Sequence, residues 1–123
     1  MEKLTRQEEE AMQVIWKYGE GNIKAFIANM ETPVVYTTLA STIKKLEKKG
    51  YLASRLVGNV NLYRPAISED AYKKEFVGDV VKDYFSDSYK EMVSFFIHEK
   101  KISPEDLKDI IHLIETNGTS TTK

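Results

Sequence analysis

Residues 35–65 read VYTTLASTIKKLEKKGYLASRLVGNVNLYRP. The first half of this stretch repeats with helical spacing. At 100° per residue, Tyr36, Leu39, Ile43 and Leu46 fall within about 80° of one another, one apolar stripe along a helix. That helix runs from about Val35 to Lys49, and Gly50 supplies the left-handed residue that stops it. The period then changes. Tyr51–Leu56 and Val60–Arg64 are short extended segments around Val57-Gly58-Asn59, which predicts a β-hairpin, and Pro65 closes its second strand.

The face opposite the stripe is chemically uniform. Thr37, Thr38, Ser41, Lys44, Lys45 and Lys48 fall within about 120°, and no acid interrupts them. Glu47 lies to one side and Ala40 borders the face. A helix that enters the DNA major groove needs such a surface. Small hydroxyls near its N-terminus approach base edges and the thymine methyl, and lysines further along neutralise phosphates. An ordinary solvated helix face is the plainer reading, but such faces usually mix signs and this one does not. In the hairpin, Arg55 and Arg64 are candidate phosphate contacts, with Asn59 and Asn61 near the turn. A purely structural hairpin is the competing reading there.

Upstream, Thr5 and Glu8 form a Thr-x-x-Glu capping box. The helix it starts carries Ala11, Met12, Val14, Ile15 and Trp16 and should stop before Gly19. Residues 22–30 place Ile23, Phe26, Ile27 and Met30 at helical spacing, and Thr32-Pro33 breaks the pattern. The order helix, helix, helix, hairpin predicts a winged helix-turn-helix over residues 1–67. The fold class is mainly α with a small β-hairpin; a generic three-helix bundle with a stray hairpin is the alternative.

Downstream, three more helices are expected, over about 68–85, 88–100 and from Ser103-Pro104 to about 115, where Ser103 caps and Pro104 opens the last. Residues 117–123 read as a polar, disordered tail. The helices carry Tyr72, Phe76, Val80, Tyr84 and Phe85, then Met92, Phe95 and Phe96, then Leu107, Ile110, Ile111 and Ile114. About fifty residues cannot bury so much apolar surface alone. Residues 68–116 are therefore expected to form a helical dimerisation domain, which suits two-fold symmetric reading of DNA. Packing back onto the N-terminal domain in a monomer is the alternative.

Composition narrows the function classes. In 123 residues, 41% hydrophobic and 30% charged is the balance of a globular chain, and no run of about 18 apolar residues predicts membrane insertion. The first residues lack the apolar core of a signal peptide, so a cytoplasmic protein is expected. The absence of cysteine excludes disulfides, thiol nucleophiles and thiolate metal sites. His98 and His112 lack metal-site spacing, no acids frame a nucleophile, and no glycine-rich phosphate loop is present. No enzyme, metal or cofactor is expected. The net charge of −1 hides an asymmetry: residues 1–66 carry ten Lys/Arg against seven Asp/Glu, and residues 67–123 carry eight against twelve. Within 34–66, six basic residues face Glu47 alone. The basic half points to a polyanion. A winged-helix protein-interaction module without specific DNA binding is the second reading, favoured by the overall charge and the uncharged hairpin tip, opposed by the acid-free helix face.

These residues also carry a resemblance. Glu9, Met12, Ile15 and Trp16 resemble an E-x-x-x-M-x-x-I/L-W run. Tyr36-Thr37-Thr38-Leu39 followed by Leu46-Glu47-Lys48-Lys49-Gly50-Tyr51-Leu52 resembles a recognition helix and its turn into a wing. Tyr63-Arg64-Pro65 matches a wing-closing Y-x-P, and Ser103-Pro104-Glu105-Asp106-Leu107 a helix start of the type L-S-x-E-E-I/L. Together, over nearly the whole chain, they resemble the penicillinase and methicillin-resistance repressors of the BlaI/MecI/CopY family. The resemblance implies a homodimeric repressor on an inverted-repeat, double-stranded DNA operator. It places base contacts at Thr37, Thr38 and Ser41 and backbone contacts near Lys44 and Lys45. It also implies control by a membrane sensor-protease system that triggers cleavage in the dimerisation helices, typically at an Asn-Phe bond. Here that place reads Ser94-Phe95-Phe96, so Phe95 and Phe96 mark the candidate cleavage position without the Asn. The Cys-x-Cys copper motifs of one branch are absent.

Overall fold

The computed structural model describes residues 2–117. Along them run α1 (Arg6–Tyr18), α2 (Ile23–Ala28), α3 (Tyr36–Lys48), β1 (Leu52–Val57), β2 (Val60–Pro65), α4 (Glu69–Tyr84), α5 (Tyr89–His98) and α6 (Pro104–Asn117). The expected tail begins at Asn117, which instead ends α6; its residues 118–123 lie outside the described ones. Two compact units divide the chain, one reaching to Glu75 and one from Phe76 on.

In the first unit, α1 starts on the expected capping box. The Glu8 N–H donates to Thr5 Oγ1 at 3.2 Å, and the Thr5 N–H donates to Glu8 Oε1 at 2.9 Å. Ala11, Met12 and Ile15 are buried, and Gly19 ends the helix with φ +93°. Gly21 exchanges backbone hydrogen bonds with Tyr63 of β2, at 3.0 and 2.8 Å, so the chain entering α2 is stitched to the hairpin. A Cβ at Gly21 would stand 2.7 Å from the Tyr18 ring, so any side chain there would displace that ring. Asn22 then caps α2 by accepting the Ala25 N–H at 2.8 Å.

The third helix buries Leu39, Ile43 and Leu46 as the stripe predicts. Tyr36 is half exposed at its rim, and Thr42 is buried in its place, donating to the Thr38 carbonyl at 3.0 Å. The helix closes as a glycine cap: Gly50, at φ +89°, donates to the Glu47 carbonyl and Tyr51 to that of Leu46. β1 and β2 pair antiparallel with Leu52 opposite Pro65 and Val57 opposite Val60. The loop is therefore Gly58-Asn59 alone, with positive φ at Gly58 only, which is the II′ hairpin turn. Phe26, Tyr51, Leu52 and Tyr63 complete the core between the helices and the hairpin.

The start of α4 belongs to this core as well. The Trp16 indole N–H donates to the Ile67 carbonyl at 2.9 Å. The Tyr72 ring lies 5.3 Å from Trp16 and 6.0 Å from Tyr51, and its hydroxyl donates to Glu9 Oε2 at 2.6 Å. The sequence reading put Tyr72 in the dimer stripe and the first domain's end at residue 67. The structure seats Tyr72 against the N-terminal helices instead. There its ring meets two aromatic rings and its hydroxyl a carboxylate, as a part-buried tyrosine requires.

In the second unit Val81 is fully buried. Phe85, Phe95 and Phe96 form a chain of rings with centroids 5.6 and 5.4 Å apart. Ser88 caps α5 through the Glu91 N–H, and Ser103 and Asp106 cap α6 reciprocally at 3.0 and 3.1 Å. No helix of the described residues is long and apolar enough to cross a membrane.

Candidate DNA-binding surface

Thr37, Thr38, Ser41, Lys44, Lys45 and Lys48 are all exposed on α3, while Leu39, Thr42, Ile43 and Leu46 anchor its other side. Helix geometry and a packed inner stripe thus fix six polar side chains on one outward face. Among the described residues, Lys44, Lys45 and Lys48 form no ion pair with a carboxylate. Val35, at the N-cap, offers no side-chain acceptor to the first turn.

Lys49 ends the same lysine run but behaves differently. Its ammonium lies 2.6 Å from Glu8 Oε1 and 3.0 Å from the Lys3 carbonyl. Burial alone would raise the Glu8 carboxyl. The Lys49 ammonium and the Thr5 N–H and hydroxyl outweigh it and hold Glu8 below the usual carboxylate range. Lys49 is thus a brace between α3 and α1.

The hairpin stands beside α3 with its tip exposed. Leu56, Val57 and Val60 are solvent-facing there, so the tip is apolar. Arg64 is exposed on β2. Arg55, the other candidate phosphate contact of the hairpin, is engaged by an acid. Its guanidinium holds Glu20 in a fork, Nε to Oε2 at 2.8 Å and Nη2 to Oε1 at 2.7 Å. The Arg55 hydrogen bonds pull the Glu20 carboxyl down, aided by the charge of Arg64, and Glu20 in turn pushes Arg55 up. Neighbouring Ser54 donates to Glu47 of α3. Sequence reasoning missed both pairings, because no periodic signal links residue 20 to 55 or 47 to 54.

The expected clamp residues divide similarly. Phe76, Tyr84, Phe96, Ile110, Ile111 and Ile114 are exposed, and Val80, Phe85, Met92 and Leu107 are half-buried. Tyr72 stands apart in the first unit. Phe95 and Phe96 lie within α5, both partly exposed.

A short helix, a turn and a second helix with a hydroxyl-and-lysine face, followed by a two-stranded wing, define a winged-helix DNA-binding protein. Residues 4–116 match the penicillinase repressor family, and the chain belongs to it. It is 24% identical over 115 residues to the penicillinase repressor of Bacillus licheniformis, covering 92% of this chain and 90% of that one. The molecule is accordingly a DNA-binding transcriptional repressor. Among solved structures, it is similar to the archaeal chromatin protein TrmBL2 (23% identity, TM-score 0.49, covering 98% of this chain and 43% of that one). A double mutant of Lactococcus lactis ZitR is also similar (17% identity, TM-score 0.43, 94% and 73% covered).

Proposed function

We propose that the chain represses transcription as a homodimer on an inverted-repeat operator, each protomer laying α3 in the major groove. In this reading Thr37, Thr38 and Ser41 face base edges. Lys44, Lys45 and Lys48 neutralise phosphates, and Arg64 and Arg55 extend the contact from the wing. The observation that carries it is the α3 face itself: three exposed lysines without a carboxylate partner among the described residues, beside three exposed hydroxyls.

The dimer reading is supported by the exposed apolar side chains of the second unit, Phe76, Tyr84, Phe96, Ile110, Ile111 and Ile114. A second copy covering them would set two reading heads about one helical turn apart or a multiple of it. Release by cleavage at Phe95-Phe96, under a membrane sensor-protease, fits a clamp that can be cut without touching α3. That bond lies inside α5, so local unwinding must precede cutting. A repressor acting on DNA in this way would work in the cytoplasm.

The test is a gel-shift series at several salt concentrations with the DNA upstream of the chain's own gene and a scrambled duplex. Tighter binding to the upstream DNA, weakening steeply with salt, supports the reading. Equally weak binding to both, indifferent to Lys44→Ala, overturns it in favour of a protein-interaction module.

A further inference from the structure

The surface holds cations in three different states. Lys44, Lys45 and Lys48 have no carboxylate partner among the described residues. Lys49 is committed to Glu8, a carboxylate only 2% exposed. Arg55 is intermediate: one edge of its guanidinium is engaged, yet both partners remain open to solvent, at 58% and 29% side-chain exposure.

We infer that Arg55 is a phosphate ligand held in reserve, and that Glu20 is the internal anion that occupies its fork until a DNA backbone phosphate replaces it. The inference rests on the DNA-binding reading above. The two parallel N–H···O bonds to Glu20, at 2.8 and 2.7 Å, are the geometry in which a guanidinium takes a phosphate. A solvent-exposed pair of this kind contributes little to stability, so exchanging one anion for another costs little. Glu20 sits between Gly19 and Gly21, and the Gly21–Tyr63 pairing pins this segment beside β2. Arg64, one residue after Tyr63, adds a second positive charge near the same carboxylate.

The wing does not depend on this pair for its position. Ser54 precedes Arg55 on β1 and therefore points to the opposite face, where it bonds Glu47 of α3. The backbone ladder with β2 and the Gly21–Tyr63 bonds add to that support. Glu20 can release Arg55 with the hairpin still braced. In the free protein the Glu20–Arg55 pair carries no net charge, so the pair itself adds nothing to the general attraction for DNA, and Arg64 alone supplies it there.

The test uses the full chain and a random-sequence duplex. In the free wild type the Arg55 Nε–H NMR signal, assigned by its absence in Arg55→Lys, reports the Glu20 pair. It should shift when duplex is added. In Glu20→Gln the free-state signal should differ from wild type, while the bound-state signal coincides with it. Glu20→Gln should also bind the duplex several-fold tighter at low salt, because no carboxylate has to leave Arg55, with the slope of log affinity against log salt nearly unchanged, since both proteins cover the same phosphates. An Arg55 signal that does not move when wild type binds overturns the inference, leaving the pair a plain brace. Lys44→Ala separates the two readings. If it flattens the salt slope while the Arg55 signal stays still, only this inference falls. If the wild type does not bind duplex at all, the DNA-binding reading falls and takes the inference with it.

Discussion

The Lys49 ammonium lies 2.6 Å from Glu8 Oε1, the same oxygen that accepts the Thr5 backbone N–H at 2.9 Å. One buried carboxylate therefore starts α1 and holds the end of α3. The helix that carries the candidate reading face is tied, at its C-cap residue, to the first turn of α1. This divides a lysine run that looks uniform in sequence: Lys44, Lys45 and Lys48 face solvent, and Lys49 is structural.

Glu8→Gln should lower stability at neutral pH by about 1–3 kcal/mol, since it breaks a charge-assisted bond and leaves the ammonium of Lys49 without its counter-charge. The sign with pH follows from the lowered carboxyl. A group held below its ordinary value contributes stability that is full above that ordinary value and is lost as pH falls through the native one. Wild type should lose stability on acidification, and Glu8→Gln should lose less over the same range. Urea midpoints from pH 7 down to pH 3 check this, and parallel pH curves for the two proteins would reject it.

Lysine-to-alanine changes along α3 should separate into two kinds. Lys44→Ala and Lys45→Ala should leave the melting temperature nearly unchanged and lower the salt slope of DNA binding by about 0.9 per head each. Lys49→Ala should do the reverse, lowering the melting temperature with the slope unchanged, because its ammonium is spent on Glu8 and the Lys3 carbonyl. A slope change in Lys49→Ala would show that this lysine reaches DNA.

What could be read ahead of the structure was local. The Thr5–Glu8 box, the break at Thr32-Pro33, the glycine stop at Gly50 and the turn at Gly58 are each written within four residues of chain. The angular arithmetic on residues 36–48 likewise placed the outward face. What could not be read was the pairing of charges and rings distant in sequence. Glu20 meets Arg55, Glu8 meets Lys49, and Tyr72 meets Trp16 and Glu9 only because the fold brings them together. Tyr72 in particular sits on a helix whose later aromatic residues are exposed, so periodicity groups it with them. A hydroxyl partner on α1 removes it from that group.

Thr38→Ala and Ser41→Ala should cut the ratio of operator to random-DNA affinity, each by about 1–3 kcal/mol where a base contact is lost. The folded helix should tolerate both. The Thr42 hydroxyl donates to the backbone carbonyl of residue 38, which alanine keeps, and both side chains are exposed. Competition binding with operator and scrambled duplexes measures the ratio. Equal weakening for every sequence would mean that these hydroxyls only seat the helix on the backbone.

Truncation should locate both the end of the reading head and the source of the dimer. A fragment of residues 1–67 keeps the Ile67 carbonyl that Trp16 uses but loses Tyr72, exposing the faces of Trp16 and Tyr51 that its ring covers. A fragment of residues 1–75 keeps Tyr72 and its bond to Glu9. The longer fragment should therefore be more stable, by about 1–2 kcal/mol for a part-buried aromatic ring. Both fragments should be monomeric, because Phe76, Tyr84 and the apolar residues of α5 and α6 are gone. A monomer keeps one reading head, so its affinity for a full inverted repeat should fall by orders of magnitude as the second head no longer binds at high effective concentration. Its salt slope should be about half that of the whole chain, in proportion to the phosphates covered. Denaturant titration of the two fragments and sedimentation of all three proteins decide the matter. Equal stability of the fragments would return Tyr72 to the dimer stripe. A monomeric full chain, or a 1–75 fragment that binds the inverted repeat as tightly as the whole, would remove the clamp from the second unit.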